Sequence, residues 1–258
     1  MACCPVGSLP YLAATSEAKG QIVDARGVML YEAPVVGNPT EALLLCPDVW
    51  GWNGGRVRAV ADGLAEQGYH VVVAKLLATP GQPGTDGDAL APDDKFSMAW
   101  IKNFPWSLQK AKIDAALAYL TRKGAQKIGV MGFCYGGHPA CWASRENNYP
   151  VKCGVVFHPS MQLEQFAFGG DLKALLSGVQ CPFLLAPAGD DLETWGEDSA
   201  NAAALKDSSR GAECVWKPYP EMSHGWSCRG DLSVPAVARD VDLVMKDAIS
   251  FFNKYLKA

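Results

Sequence analysis

The 258-residue chain has no C-x-x-C pair, no H-E-x-x-H, no G-x-G-x-x-G after its first apolar run and no P-loop. Those absences remove the sequence marks of a thiol oxidoreductase, a zinc hydrolase, a dinucleotide enzyme and a phosphate-cradling NTPase, so no cofactor and no metal are expected. A basic stripe is missing too. Lys plus Arg number 23 against 27 Asp plus Glu, a formal net charge of −4, which argues against nucleic acid or an anionic membrane as partner. No apolar run approaches the ~20 residues that span a bilayer. Pro5, Gly7 and Pro10 interrupt the first residues, and neither a basic leader nor an Arg-rich transit pattern precedes them. Cys3 and Cys4 offer one weak acylation signal, too little for a stable anchor. Internal repeats, low-complexity tracts and linkers are also lacking.

What is present is a globular balance: 49% hydrophobic and 19% charged residues, with 26 Gly and 17 Pro. A chain of this length buries about three quarters of its unfolded surface and needs no covalent staple. The nine cysteines are odd in number and mostly embedded in apolar runs such as ALLLC and KCGVVF. There Cys acts as a small buried hydrophobe, and a reducing, cytoplasmic location is the simplest expectation.

Short apolar runs alternate with helical periodicity. Strands are expected at 42–46, 69–75, 127–132, 151–157, 181–186 and 213–217. Helices are expected at 55–67, 107–123, about 135–146, about 197–208 and at the C-terminus. In that last helix Val237, Val241, Val244, Ala248, Phe252 and Tyr255 share one stripe. The strands are continuously apolar rather than alternating, as in a parallel sheet covered on both faces. The expectation is one α/β domain over 21–258, a mostly parallel central sheet with helices on both faces, preceded by a loosely ordered extension over 1–20. Residues 76–106 form a long irregular stretch, the length at which a loop is usually a functional wall or lid.

In such sheets the chemistry gathers beyond the carboxyl ends of the strands. After strand 127–132 comes Gly132-Phe133-Cys134-Tyr135-Gly136-Gly137, a nucleophile-elbow pattern with Cys in the place of Ser. The glycines admit a strained turn that lifts the Cys134 sulfur over the sheet and aims a helix N-terminus at it, which favours thiolate. The bland alternative is a glycine-rich turn with an inert cysteine. It weakens because an acid and a histidine follow in the order this architecture requires: Asp190-Asp191 after strand 181–186, and His224 after strand 213–217. His224 would take the thiol proton, and one of the two adjacent aspartates would hold its tautomer. Of the other histidines, His70 reads as structural, His138 as a packing or surface residue, and His158 as a further candidate to face the cleft.

At these residues the chain resembles the dienelactone hydrolase family of the α/β-hydrolase fold. The matching motifs are Gly-Phe-Cys-Tyr-Gly-Gly at 132–137, Ala-Gly-Asp-Asp at 188–191 and Ser-His-Gly-Trp at 223–226, and the similarity covers roughly residues 20–256. The resemblance implies hydrolysis of small esters or lactones by a triad of Cys134, Asp191 and His224. It also implies an oxyanion hole from the Val49 and Tyr135 backbone N–H groups, and Asp48 beside the resting thiol. Bacterial members clamp a substrate carboxylate with two arginines. Here Arg229 can stand for one, a solvated surface Arg being the alternative, and no arginine lies between 59 and 121 to supply the other. Trp50, Trp52, Trp195 and Trp226 flank the motifs and Trp100 and Trp106 lie in the long stretch. The four beside motifs suggest an aromatic-walled pocket for a larger or less charged ester, with Trp50 and Trp226 as lining residues.

Two rivals remain from the sequence. One is a ligand-binding homologue without turnover, against which the ordered triad counts. The other is a carbohydrate-active hydrolase, since some plant members of the family are described as glucanases. That chemistry needs paired carboxylates, for which Asp48, Asp191 and Glu193 would have to serve, and it leaves Cys134 unexplained. The expected partner is a small ester or lactone, and the expected state a monomer or homodimer.

Overall fold

The computed structural model describes residues 4–5, 7–78, 98–146 and 149–258. One sheet runs in the order β1-β2-β4-β3-β5-β6-β7-β8. The strands are β1 Gln21–Asp24, β2 Met29–Glu32, β3 Glu41–Cys46, β4 His70–Ala74, β5 Lys127–Phe133, β6 Val151–Phe157, β7 Phe183–Ala186 and β8 Val215–Trp216. From β4 to β8 every pairing is parallel, whereas β1 and β2 join antiparallel at one edge. This is a single α/β domain with the α/β-hydrolase fold.

The continuous apolar strands make sense in this setting. Leu43, Leu45, Val71, Val73 and Met131 point into a layer completed by the helices Val57–Glu66 and Pro235–Phe252. Their neighbours Ala42, Leu44, Val72, Ile128 and Val130 point the other way, onto Ile113, Ala116, Leu117 and Leu120 of the helix Trp106–Arg122. With both faces covered there is no polar phase to the alternation. Each fully buried Leu or Ile contributes about 1.5–3 kcal/mol by leaving water. The C-terminal stripe packs as expected, with Val244, Ala248 and Phe252 fully buried and Val237, Val241 and Tyr255 partly so.

Predicted and observed bounds agree within three residues for the helix at 55–67, the helix at 107–123 and each predicted strand, and they coincide for β6. Two differences are informative. The predicted helix at about 135–146 begins as a 3-10 turn, Cys134–Gly136, and runs on as Gly137–Ala143. The β1–β2 hairpin was not anticipated. Its strands have four residues each, β1 is largely exposed, and Arg26 and Gly27 form its turn with φ of 59° and 84°. A two-residue turn with both φ positive normally announces itself as Asn-Gly or Asp-Gly, and Arg-Gly carries no such signal. The long stretch from 76 to 106 contains the short helix Met98–Ile101, and its residues 79–97 lie outside the described residues. Among the described residues no helix is long and apolar enough to cross a membrane.

Candidate active site

Cys134 follows β5 directly and has φ of 51°, a left-handed conformation worth about 1–3 kcal/mol of strain in a residue with a side chain. Neighbouring glycines permit it. A Cβ on Gly132 would run into the Gly136 carbonyl, one on Gly136 into the Cys46 and Pro47 carbonyls, and one on Gly137 would lie 2.7 Å from Val156 Cγ1. The close approach at Gly136 brings the elbow against the end of β3, where Pro47, Asp48 and Val49 follow. Val49 and Tyr135 share one buried cluster with Cys134, and the Tyr135 hydroxyl donates to the Phe104 carbonyl at 2.9 Å.

His224 arrives from the loop after β8, whose pairing with the end of β7 is prolonged by a parallel bridge between Ala188 and Tyr219. Its Nδ1 lies 2.8 Å from Asp191 Oδ1, while Asp191 Oδ2 accepts the Ala188 N–H at 3.1 Å. The sequence left two aspartates open, and the structure gives each a task. Asp191 meets the imidazole, and Asp190 accepts the His224 backbone N–H with both oxygens, at 2.8 and 3.0 Å. Nδ1–H therefore donates to Asp191. The opposite nitrogen, Nε2, is buried without a hydrogen-bond partner among the described residues. A His224 ring nitrogen and the Cys134 and Cys4 sulfurs lie within 4.8 Å of one another. Burial alone would lower the His224 pKa. Attraction from the Cys134 and Cys4 sulfurs and the Asp191 hydrogen bond outweigh it and raise the pKa well above the usual value.

His158 sits at the end of β6, with φ of 39° and its ring 5.0 Å from that of His224. Its Nε2 lies 2.7 Å from Ser227 Oγ. Burial first, and His224 second, push its pKa down to about 3, so it is neutral across the physiological range. Ser160 Oγ lies 3.5 Å from the Cys134 sulfur and its amide donates to the Cys134 carbonyl at 3.2 Å. Sequence reasoning passed over Ser160, although its place just beyond a strand end was the available signal. Cys4, with its sulfur 3.3 Å from that of Cys134, had no signal at all.

Arg229 is neither solvated nor on the surface. It is 5% exposed, its guanidinium is ion-paired with Asp48, and its Nε donates to the Leu9 carbonyl at 3.1 Å. Asp48 also accepts the Trp50 amide at 2.8 Å, so its carboxylate is engaged by Arg229 and by its own loop. The tryptophans divide. Trp226 packs edge-on to His158 at 5.4 Å, and Trp50 shares the Cys134 cluster and meets the Tyr11 ring at 5.3 Å. Trp52 lies under Arg58, Trp195 bonds Gln162 in a separate cluster, and Trp106 stacks on Trp142. Of the four tryptophans beside the motifs, Trp50 and Trp226 thus lie with the Cys134 cluster and His158, while Trp52 and Trp195 pack elsewhere. His138 is buried and bonds Glu164 at 2.7 Å, and His70 bonds Glu32 at 2.8 Å, so both are packing residues.

The arrangement brings together a sulfur, an imidazole held by a carboxylate, and the ends of β3 and β5 beside them. Comparison with known proteins agrees with the fold and gives the family. A putative dienelactone hydrolase from Klebsiella pneumoniae superposes with a TM-score of 0.69 at 14% identity, covering 95% of this chain and 98% of that one. The human carboxymethylenebutenolidase homolog is 24% identical over 249 residues, 92% of this chain and 91% of its own. The mouse homolog of the same name is 32% identical over 100 residues, a match that spans only 38% of either chain. The family profile for dienelactone hydrolases matches residues 28–256. The chain belongs to the dienelactone hydrolase family, hydrolases of the ester and lactone kind.

Proposed function

We propose that the protein hydrolyses small esters or lactones through Cys134, with His224 as base and Asp191 as its anchor, by way of a thioacyl-enzyme. The observation that carries this reading is the buried 2.8 Å contact between Asp191 and His224 Nδ1, which leaves Nε2 for the Cys134 side of the ring.

In the proposed cycle His224 Nε2 takes the Cys134 proton and the thiolate attacks the ester carbonyl. The Val49 and Tyr135 N–H groups receive the developing oxyanion, each donor contributing about 2.7–4 kcal/mol in the transition state. Collapse breaks the bond to the alkoxide, which leaves as the alcohol with the proton held on His224. Water then gives a proton to His224 and its oxygen adds to the thioester carbonyl, and the carboxylic acid departs as the thiol is restored. A thiolate is a good leaving group, so amides would tend to return to substrate while activated esters and lactones go forward. That disfavours a peptidase.

The substrate class follows from charge. The Arg229 guanidinium is paired to Asp48, and a cation compensated in this way suits a neutral ester better than a carboxylate-bearing one. Of the three carboxylates from which glycoside chemistry would have to draw its pair, two are already engaged, Asp48 by Arg229 and Asp191 by His224, and Glu193 is exposed. The test is hydrolysis of p-nitrophenyl acetate, neutral lactones and a carboxylate-bearing dienelactone by the wild type and by Cys134→Ala. Activity should fall by about 10⁴-fold or more in Cys134→Ala, with neutral substrates preferred in the wild type. Equal rates for the two proteins would remove Cys134 from the mechanism.

A further inference from the structure

Cys4 and Cys134 are 130 residues apart in sequence, yet their sulfurs lie 3.3 Å apart and both are reduced. A disulfide needs about 2.05 Å, so the two thiols stand one small side-chain adjustment from bonding. The placement is built by more than one contact. The segment that carries Cys4 is held where the Leu9 amide donates to the His224 carbonyl at 3.0 Å, where Arg229 Nε reaches the Leu9 carbonyl, and where the Gly55 amide donates to the Leu12 carbonyl at 2.7 Å. The Tyr11 ring settles on Trp50. Beneath this arm Cys134 and His224 have no exposed surface, whereas Cys4 is partly exposed. Burial drives the thiols of Cys46, Cys153 and Cys228 toward the protonated, inert form, and the imidazole of His224 serves the Cys4–Cys134 pair alone among the described cysteines.

We propose that Cys4 is a resolving cysteine: when a hydroperoxide oxidises Cys134, Cys4 closes an intramolecular disulfide that caps the site and spares the nucleophile from irreversible oxidation. The proposal rests on the reading of Cys134 as the nucleophilic thiol. In the first step the Cys134 thiolate attacks the outer peroxide oxygen, an S–O bond forms and the O–O bond breaks. The departing alkoxide takes the proton held on His224, so sulfur is oxidised to sulfenic acid as the peroxide is reduced to an alcohol. In the second step the Cys4 thiol gives its proton to His224 and its sulfur attacks that of Cys134. An S–S bond forms, the S–O bond breaks and hydroxide leaves as water with that proton. A dithiol returns both cysteines to the thiol state by exchange. Without a resolving thiol the sulfenic acid would continue to sulfinic acid, which a dithiol does not reverse.

The experiment treats the full chain with hydrogen peroxide in the presence of a chelator, so that no thiophilic ion held by Cys4, Cys134 and His224 imitates the effect. Remaining thiols are then alkylated and the unreduced peptides mapped. The wild type should yield a crosslinked peptide pair containing Cys4 and Cys134, with activity reduced by at least about tenfold and most of it regained on adding dithiothreitol. Cys4→Ser should yield no such pair, carry Cys134 two oxygens heavier and regain little, each protein being normalised to its own activity before oxidation. Absence of the Cys4–Cys134 peptide from the oxidised wild type, or equal recovery in Cys4→Ser, would overturn the proposal. Peptide mapping reads the bond independently of turnover. Persistent esterase activity in Cys134→Ala would sink the nucleophile reading, and the crosslink would still be judged on its own.

Discussion

Among the described residues, two of the places where a buried histidine rests on a carboxylate bear comparison, because their geometry is nearly the same. At the carboxyl end of the sheet His224 meets Asp191 at 2.8 Å, and beside the elbow helix His138 meets Glu164 at 2.7 Å. Distance does not tell them apart, but surroundings do. Attraction from two sulfurs raises the His224 pKa against its burial, while around His138 burial prevails over Glu164 and lowers it. Glu164 is shared with the Trp142 indole at 3.0 Å, so that pair acts as a clip between two helices. A histidine–carboxylate pair is thus a catalytic sign only when the second ring nitrogen faces a nucleophile.

The contrast can be broken in order of size. Asp191→Asn keeps the shape of the site but offers the imidazole an amide that can hold the wrong tautomer. We expect kcat to fall by about 10³–10⁴-fold with the fold intact by circular dichroism; a loss below tenfold would erase the distinction between the regions.

The second test concerns His158, a buried imidazole with no carboxylate. Its folded pKa of about 3 lies below the unfolded value of about 6.5. Its contribution to stability is therefore full above the unfolded pKa and lost as pH falls toward the folded one. Between about pH 7 and pH 4 the loss should be roughly 3 kcal/mol. Denaturant titrations of the wild type and His158→Gln at those two pH values measure it, and parallel losses would show that His158 is not held neutral by the fold.

The smallest effect is expected at the clip. Glu164→Ala strands the His138 and Trp142 N–H groups and should cost about 1–3 kcal/mol for each donor left unpaired. The turnover of the protein that remains folded should change by less than about threefold. A turnover loss comparable to that of Asp191→Asn would place Glu164 in the chemistry.

Much of this architecture was legible because its signals are local. Leu43 to Leu45, Val71 to Val73 and Val155 to Val156 are apolar without alternation, which only a two-sided sheet explains. The elbow is readable because its glycines stand together in sequence, although only Gly132 is demanded from within it, by the Gly136 carbonyl, while Gly136 and Gly137 make room for Cys46, Pro47 and Val156. Apart from the β1–β2 hairpin, what escaped depends on partners far away in sequence. Nothing in Arg229 itself announces Asp48, 181 residues earlier, and nothing in Glu164 announces His138 or Trp142. Tryptophan is equally silent, since the same residue type packs against Arg58 at Trp52 and against His158 at Trp226.

The arm over the site also has a history within each molecule. Leu9 is made well before Arg229, 220 residues later, yet it bonds that side chain and the backbone of His224. Its docking must therefore wait until the sheet has been laid down through β8, and it closes a loop of 220 residues. The arm is thus synthesised well before the partners that hold it and is among the last segments to find its place.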